Sequence, residues 1–348
     1  NTAQAIIRSQ QSRTPRGRSC GTGMREMRMS NVNIQTGNCL DILPTMEAGS
    51  VNCCVTSPPY FGLRDYGNDE QIGLEETPEA FVDSLVKVFR EVKRVLADDG
   101  TLWLNLGDSY SSGGRTTTTA QTIRGDCGED AKKATVCRPP VIKGIKPKDL
   151  IGIPWRVAFA LQQDGWYLRQ DIIWSKPNPM PESVTDRCTK AHEYIFLLSK
   201  KPKYYYDAEA VKEGATTSGR RPSLEERYAK GEPKRHGLAG AAACGAGGFG
   251  VDDDGTRNKR SVWEVTTQPY SGAHFATFPP DLIKPCILAG CPAGGTVLDP
   301  FGGSGTTGMV ALELGRNAEL IELNPDYVDI IEGRTNVTPG FNFEGGAS

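Results

Sequence analysis

The segment that most constrains the fold is TVLDPFGGSGTTGMVALELGRNAELIELN, residues 296–324. Its pattern predicts a strand, a glycine loop, a helix and a second strand, with Gly303, Gly305 and Gly308 spaced as GxGxxG where the helix begins. Glu322 ends the second strand, where an acid accepts hydrogen bonds from both hydroxyls of a ribose. Further strands and helices alternate along the chain, which indicates a mostly parallel α/β sheet. We therefore expect such a sheet with a site for an adenosine-containing cofactor.

A carboxylate beside the glycine loop bears on which cofactor fits. Asp299 precedes the loop, and the N-terminus of the following helix is the place where a dinucleotide puts its pyrophosphate. A carboxylate there repels phosphate and suits a cofactor that carries positive charge. The ammonium and sulfonium groups of S-adenosylmethionine meet that condition, so we expect S-adenosylmethionine rather than NAD.

A second motif, TSPPY, follows the apolar run VNCCV. Proline cannot donate to a sheet ladder, so the strand is predicted to end here and to present a hydroxyl, a carbonyl and an aromatic ring together. With a methyl donor nearby, the Ser57 hydroxyl and the Pro58 carbonyl can accept the two N–H bonds of an exocyclic amine on cytosine or adenine. Tyr60 can stack on the base. Such a base must first leave the double helix, because its amine is otherwise paired.

The composition excludes some alternatives. The ten cysteines form no CxxC pair and the chain has only three histidines, so no zinc pattern is present. Scattered cysteines of this kind are typical of reduced thiols in a cytoplasmic protein, and the Pro285–Cys286 pair lies in a predicted apolar helix that favours a core position. The formal net charge of −2 gives no sign of a polyanionic partner, although basic residues on one face would still bind one.

Together the two motifs resemble those of the S-adenosylmethionine-dependent amino-directed DNA methyltransferases. TSPPY is similar to their catalytic motif, DPFGGSGTT is similar to their cofactor loop, and this order resembles the permuted beta group. The resemblance implies a seven-stranded, Rossmann-like methyltransferase sheet with an inserted target-recognition region. It also implies catalytic roles for Ser57, Pro58, Pro59 and Tyr60.

Further segments match the same family. GNCLD resembles the strand end that touches the cofactor adenine, although many relatives have Asp where this chain has Asn38, and HFATFP resembles the segment that packs on the methionine part. The implied cofactor residues are Asn38, Cys39, Thr56, His274, Phe275, Thr277, Phe278, Asp299, Pro300, Phe301, Gly303, Ser304, Gly305, Thr306 and Glu322. The candidate DNA contacts are Arg64, Lys176, Asn178, Arg220, Arg221, Arg227 and Arg235.

The resemblance and two irregular, polar segments divide the chain. We expect an N-terminal extension over residues 1–29 and a catalytic half over 30–206 with a mobile loop at 110–148. A target-recognition insert is expected over 207–261, a cofactor-binding half over 262–338 and a tail over 339–348. If residues 207–261 are a target-recognition insert, their arginines are interpreted as DNA contacts. Without the family resemblance, the mixed charges of this segment are typical of a solvated linker.

The target base stays open between two choices. Serine at the first motif position resembles the cytosine-N4 enzymes and aspartate is more usual for adenine-N6, so the balance favours cytosine N4. More distant alternatives are methylation of RNA or of a protein glutamine, where related Asn-Pro-Pro-Tyr motifs occur, and a DNA-binding module that does not catalyse. The expected partners are double-stranded DNA, a second copy in a homodimer and a cognate restriction endonuclease.

Overall fold

A computed structural model describes residues 30–65, 68, 70–111, 135–136, 145–215, 255–268 and 278–335. The strands are β1 (Val32–Thr36), β2 (Val51–Thr56), β3 (Arg64–Asp65), β4 (Leu96–Leu106), β5 (Thr135–Val136), β6 (Tyr167–Ser175), β7 (His192–Ser199), β8 (Glu213–Gly214), β9 (Thr256–Arg257), β10 (Val262–Glu264), β11 (Thr296–Asp299) and β12 (Asn317–Glu322). The helices are α1 (Cys39–Ile42), α2 (Pro78–Val95), α3 (Ile153–Gln163), α4 (Pro280–Gly290), α5 (Thr306–Glu313) and α6 (Val328–Thr335).

Eight strands form the main sheet, in the order β1-β12-β11-β2-β4-β7-β6-β10. Neighbouring strands are parallel except at β7, which runs antiparallel to both β4 and β6. The mostly parallel α/β sheet is thus confirmed, but it has one strand more than the seven expected. The additional strand is β10, which pairs with the outer edge of β6. Through residues 262–264 it satisfies backbone groups along that edge.

Helices cover the sheet on both faces, which is why the central strands β2 and β4 bury residues on both of their faces. The predicted helix after Thr77 is α2, capped by a hydrogen bond from the Ala80 N–H to the Thr77 hydroxyl. Its apolar stripe packs with α3 in one core, and α4 and α5 supply the core on the opposite face. In β2, Cys53 and Cys54 are both completely buried, so this strand positions its end rigidly.

The expected target-recognition insert leaves and rejoins the sheet through a short antiparallel pair. Strand β8 pairs with β9, so residues 213–214 lie beside 256–257, while 216–254 lie outside the described residues. Most of the loop expected at 110–148 also lies outside them, apart from its ends and the pair of β3 with β5. Among the helices of the described ranges, none combines the length and apolar character that crossing a bilayer requires.

Candidate active site

The two sequence motifs line one cavity of about 860 Å³, at the edge of the sheet where β2 and β11 end. These strands are parallel neighbours, so the segments that follow them emerge side by side. The hydroxyl of Thr56 donates to the carboxylate of Asp299 at 2.6 Å and joins two residues that lie 243 positions apart. The pairing of β2 with β11 therefore creates the site.

The end of β2 presents a serine and a tyrosine whose hydroxyls belong to one hydrogen-bonded group. Tyr60 Oη donates to Glu193 Oε2 at 2.7 Å, and Asn105 Nδ2 donates to Tyr60 Oη at 2.9 Å and to Ser57 Oγ at 3.3 Å. Burial, followed by the negative charge of Glu193, raises the pKa of Tyr60 well above its usual value. The tyrosine is therefore a protonated hydrogen-bond donor at neutral pH.

Asn105 and Glu193 were not among the site residues predicted from the sequence. Asn105 lies near the end of β4 and Glu193 near the start of β7, and because these strands are antiparallel both residues reach the edge of the sheet that holds the cavity. The one available signal was a polar residue in an apolar strand, as in TLWLNLG and HEYIFLLS. That signal alone does not say which edge the residue faces.

Lys176, a predicted DNA contact, lies in the cavity wall, where its ammonium group has partners within the protein. Its ammonium forms an ion pair with Glu193 and lies 4.2 Å from the centre of the Trp174 ring. Strands β6 and β7 pair Ser175 with His192, which brings the two charged residues together. The lysine therefore holds the glutamate that holds Tyr60.

Asn178, another expected DNA contact, supports a neighbouring loop. Its side-chain amide donates to the Thr267 carbonyl at 3.1 Å and accepts from the Thr267 N–H at 2.9 Å. Both polar atoms are thus used within the protein, at the rim of the cavity.

Gly107 lets the Tyr60 ring reach this position. A Cβ atom at Gly107 would come within 2.5 Å of the ring, and within 3.1 Å of three of its carbon atoms. A contact under 3 Å cannot be accommodated without moving the ring, so glycine is required at this close approach.

The opposite end of the cavity is formed by the glycine loop between β11 and α5. Gly305 begins α5 with a φ of 77°, and a Cβ atom there would lie 2.8 Å from the Ile331 side chain. The Glu322 carboxylate accepts the Gly303 N–H at 2.6 Å and the Asn324 N–H at 2.9 Å. Burial raises the pKa of Glu322, and these backbone donors oppose only part of that rise. The loop and the acid thus form one rigid unit.

Asp299 lines the cavity, and its carboxyl group is also engaged in hydrogen bonds within the protein. Its side chain is buried, and its two oxygens accept hydrogen bonds from Thr56, from Thr307 and from the Phe301 N–H. Burial raises its pKa to about 7, against 3.8 for a free side chain. The carboxyl group therefore braces β2, β11 and α5 against each other.

The other expected cofactor residues fall into three groups. Those that line the cavity are Asn38, Cys39, Phe278, Pro300, Phe301, Gly303, Ser304 and Thr306. Within this group Asn38 caps α1 through the Leu40 N–H, and burial raises the pKa of Cys39 to about 12, so it is a neutral thiol. Ser304 and Thr306 receive hydrogen bonds from Arg334.

The remaining two groups lie behind the wall of the cavity or outside the described residues. Thr56 and Gly305 lie behind the wall. His274, Phe275, Thr277, Arg220, Arg221, Arg227 and Arg235 lie outside the described residues, and Arg64 is described only by its backbone pairing. Across the described ranges, no three His, Cys, Asp or Glu side chains gather as a metal site requires.

Comparison with known proteins identifies the family. Residues 51–333 match the family model N6_N4_Mtase, which describes a DNA methylase. The chain belongs to this family of amino-directed DNA methyltransferases. It is a DNA methyltransferase.

Similar proteins agree with this assignment. The chain is 49% identical over 308 residues to the type II methyltransferase M.Cfr9I from Citrobacter freundii, with 88% of this chain and 89% of the relative covered. It is 47% identical over 309 residues to the type II methyltransferase M.SmaI from Serratia marcescens, with 89% and 92% covered.

Two solved structures have the same fold. The PvuII DNA methyltransferase, described as cytosine-N4-specific, is 20% identical with a TM-score of 0.57, and the match covers 88% of this chain and 86% of that one. A putative DNA modification methylase from Thermus thermophilus, complexed with S-adenosyl-L-methionine, is 24% identical with a TM-score of 0.54 and coverages of 89% and 95%. At these identities the likeness establishes the fold.

Proposed function

We propose that the protein is a site-specific methyltransferase that moves a methyl group from S-adenosylmethionine to the exocyclic amine of a base flipped out of duplex DNA, and that this base is cytosine, methylated at N4. The observation that carries the proposal is the single cavity lined by Ser57–Tyr60 at one end and by the glycine loop and Glu322 at the other. Its volume of about 860 Å³ lies toward the upper end of the usual range for ligand sites, which suits a site for two partners.

At the target end, two acceptors and one aromatic ring hold the base. The Ser57 hydroxyl and the Pro58 carbonyl accept the two N–H bonds of the amine and draw its nitrogen toward tetrahedral geometry. This frees the lone pair that otherwise conjugates with the ring, and the nitrogen then attacks the methyl carbon. Tyr60 lies against the base, a contact worth roughly 1–3 kcal/mol. The new N–C bond replaces the S–C bond, and the amine afterwards loses a proton to water.

At the donor end, Glu322 accepts the ribose hydroxyls of S-adenosylmethionine. Its two oxygens each accept one backbone N–H, and a carboxylate has about four acceptor positions, so two remain. The loop itself approaches the donor with backbone rather than with side chains, since Ser304 and Thr306 are held by Arg334. The half-buried rings of Phe301 and Phe278 give the wall an apolar part for the rest of the donor.

The choice of cytosine rests on Ser57. The family resemblance associates serine at this position with cytosine-N4 enzymes and aspartate with adenine-N6 enzymes. Digestion of methylated DNA to nucleosides, separation by liquid chromatography and mass spectrometry test this choice. We expect N4-methylcytosine, which co-elutes with its own standard and not with the C5 isomer of equal mass. Detection of N6-methyladenine instead would show that adenine is the target base. Methyl transfer to RNA alone would contradict DNA as the substrate.

Sequence recognition is assigned to the segment 207–261. Its basic residues Arg220, Arg221, Arg227 and Arg235 are proposed to contact DNA phosphates or base edges. Replacing each with alanine should weaken binding to duplex DNA and lower its salt dependence, by about one unit of slope for each phosphate that is no longer neutralised. Unchanged binding would return this segment to the role of a linker.

The proposed partners follow from the DNA substrate and from the relatives, which are type II methyltransferases. We propose a cognate restriction endonuclease that cuts the same site when it is unmethylated, action in the cytoplasm, and a homodimer. Methylome sequencing of a host that expresses the protein would give the site, and DNA from that host should resist an endonuclease of the same specificity. Light scattering on the purified protein gives the mass, and the mass of a single 37.7 kDa chain would contradict a dimer.

A further inference from the structure

Five side chains at the target end of the cavity form what we call the target cluster: Ser57, Tyr60, Asn105, Lys176 and Glu193. Glu193 is its one carboxylate and only accepts hydrogen bonds. Lys176 forms an ion pair with Oε1 of Glu193, the oxygen that Tyr60 does not use. The side chains of Lys176 and Glu193 are only 18% and 15% exposed, so this pair is largely shielded from water.

Serine presents a difficulty for the proposed reaction. A hydroxyl both donates and accepts, and an exocyclic amine approaches Ser57 with its N–H bonds. If the hydrogen of Ser57 pointed toward the base, two donors would face each other. The serine hydrogen must therefore be directed elsewhere, and a neighbouring group has to accept it.

The contacts in the target cluster give the two hydroxyl hydrogens, of Tyr60 and Ser57, one direction. Tyr60 Oη uses its hydrogen on Glu193 Oε2 at 2.7 Å, so its lone pairs remain as acceptors. Ser57 Oγ has Tyr60 Oη as its acceptor at 3.5 Å, the longest contact of the group. The hydrogen of Ser57 thus points along the chain that ends at Glu193.

Asn105 supports the same direction. Its Nδ2 lies 3.3 Å from Ser57 Oγ, 2.9 Å from Tyr60 Oη and 3.2 Å from Glu193 Oε2. Its Oδ1 is buried with no hydrogen-bond partner in the described part of the chain. Turning the amide around would place that oxygen against the Glu193 carboxylate, where two acceptors repel. The carboxylate therefore orients the amide as well as the tyrosine.

We propose that Glu193 is a positioning residue that sets the direction of hydrogen bonding in the target cluster, so that Ser57 offers a lone pair to the amine of the target base. The proposal rests on the proposed role of Ser57. It assigns Tyr60 a second task, since its hydroxyl connects Ser57 to Glu193 while its ring contacts the base. A glutamine at position 193 can donate to Tyr60 and reverse the chain.

The test uses Glu193→Gln, Tyr60→Phe and the double variant. Single-turnover methyl transfer from tritiated S-adenosylmethionine is measured with excess enzyme on bacteriophage DNA grown in a host without DNA methyltransferases. We expect each single variant to transfer methyl roughly 10- to 100-fold more slowly, the equivalent of one hydrogen bond to a charged group. Because both changes break one chain, the double variant should be within about twofold of the slower single variant.

The matched control is Glu79→Gln, which removes an ion pair with Arg156 away from the cavity and should leave the rate unchanged. Calorimetry should give equal donor affinity for all variants, and thermal unfolding shows that they are folded. Additive losses, or a wild-type rate for Tyr60→Phe, would overturn the inference. Should Glu193→Gln fail to fold, Tyr60→Phe decides alone, since it keeps the ring. Wild-type protein that transfers no methyl to DNA would instead refute the proposed function.

Discussion

The glycine loop and its acid, at the donor end of the cavity, come from one continuous stretch of chain, whereas the target cluster is assembled from four separate ones. Residues 296–324 supply the loop and its acid, and the acid binds backbone N–H groups of that same stretch. At the target end, side chains from the ends of β2, β4, β6 and β7 bind one another. A site held by local backbone contacts tolerates changes elsewhere in the sheet. A site held by side chains from distant strands depends on the order and register of those strands.

This contrast predicts that substitutions at the two ends will have separable effects. Changes at the target end should slow methyl transfer at saturating donor, and changes at the donor end should weaken donor binding. The largest effect is expected for Tyr60→Ala, which removes both the ring and the link to Glu193. We expect a loss of about 3 kcal/mol in the transfer step, roughly a hundredfold or more in rate, with donor affinity retained. Single-turnover kinetics measure the transfer rate and calorimetry measures the donor affinity. An equal loss of donor affinity would show that the two ends of the cavity are not separable.

The reciprocal change is Glu322→Gln at the donor end. It weakens acceptance of two ribose hydroxyls and leaves the loop amides with a poorer partner. Hydrogen bonds to charged groups contribute roughly 1.5–3 kcal/mol, so we expect the dissociation constant of the donor to rise by about 10- to 100-fold. The transfer rate at saturating donor should change little. Equal donor affinity in the variant would contradict the assignment of Glu322 to the ribose.

A smaller effect at the target end is expected for Gly107→Ala. The added methyl group would meet the Tyr60 ring at 2.5 Å and displace it, and overpacking of this kind costs about 1–3 kcal/mol. We expect slower transfer with unchanged donor binding. Gly333→Ala is the matched control, since a Cβ atom there has no neighbour within 4 Å. Equal rates for both alanine variants would show that the ring position is not critical.

The smallest effect concerns stability and the bracing role of Asp299. Burial raises its pKa to about 7 in the folded protein, above the value of about 3.9 in an unfolded chain. An acid whose pKa is raised by folding stabilises most below its unfolded pKa, and that contribution is lost as the pH rises through the folded pKa. Between pH 6 and pH 8 we expect the contribution of Asp299 to the free energy of unfolding to fall by about 1.4 kcal/mol.

The comparison variant is Asp299→Asn, which does not titrate. Urea unfolding at the two pH values should show the difference in unfolding free energy between wild type and variant shrinking at pH 8. A difference that stays constant would mean that Asp299 does not change its protonation state between these two pH values. If it is ionised at both, it presents a fixed negative charge in the wall of the cavity.

The sequence was sufficient for the local parts of this protein. The glycine spacing with its acid, the strand that ends at two prolines and the capped helix α2 depend on neighbours within about 30 residues, and such short-range preferences are written in residue type and spacing. The same holds for the mostly parallel sheet, which follows from alternating strands and helices. The resemblance to amino-directed DNA methyltransferases rests on two such local motifs, and the family match agrees with it.

Only the tertiary structure decided what lies between the motifs. The parallel pairing of β2 with β11 joins Thr56 to Asp299, and the antiparallel strand β7 turns Glu193 toward Tyr60. Strand β10 adds an eighth member to the sheet, and Lys176 forms an ion pair with Glu193. None of these features can be predicted from a short segment of the sequence, because strand order and register are set by the packing of the whole sheet. The sequence determined which groups are available, and the sheet determined which of them meet.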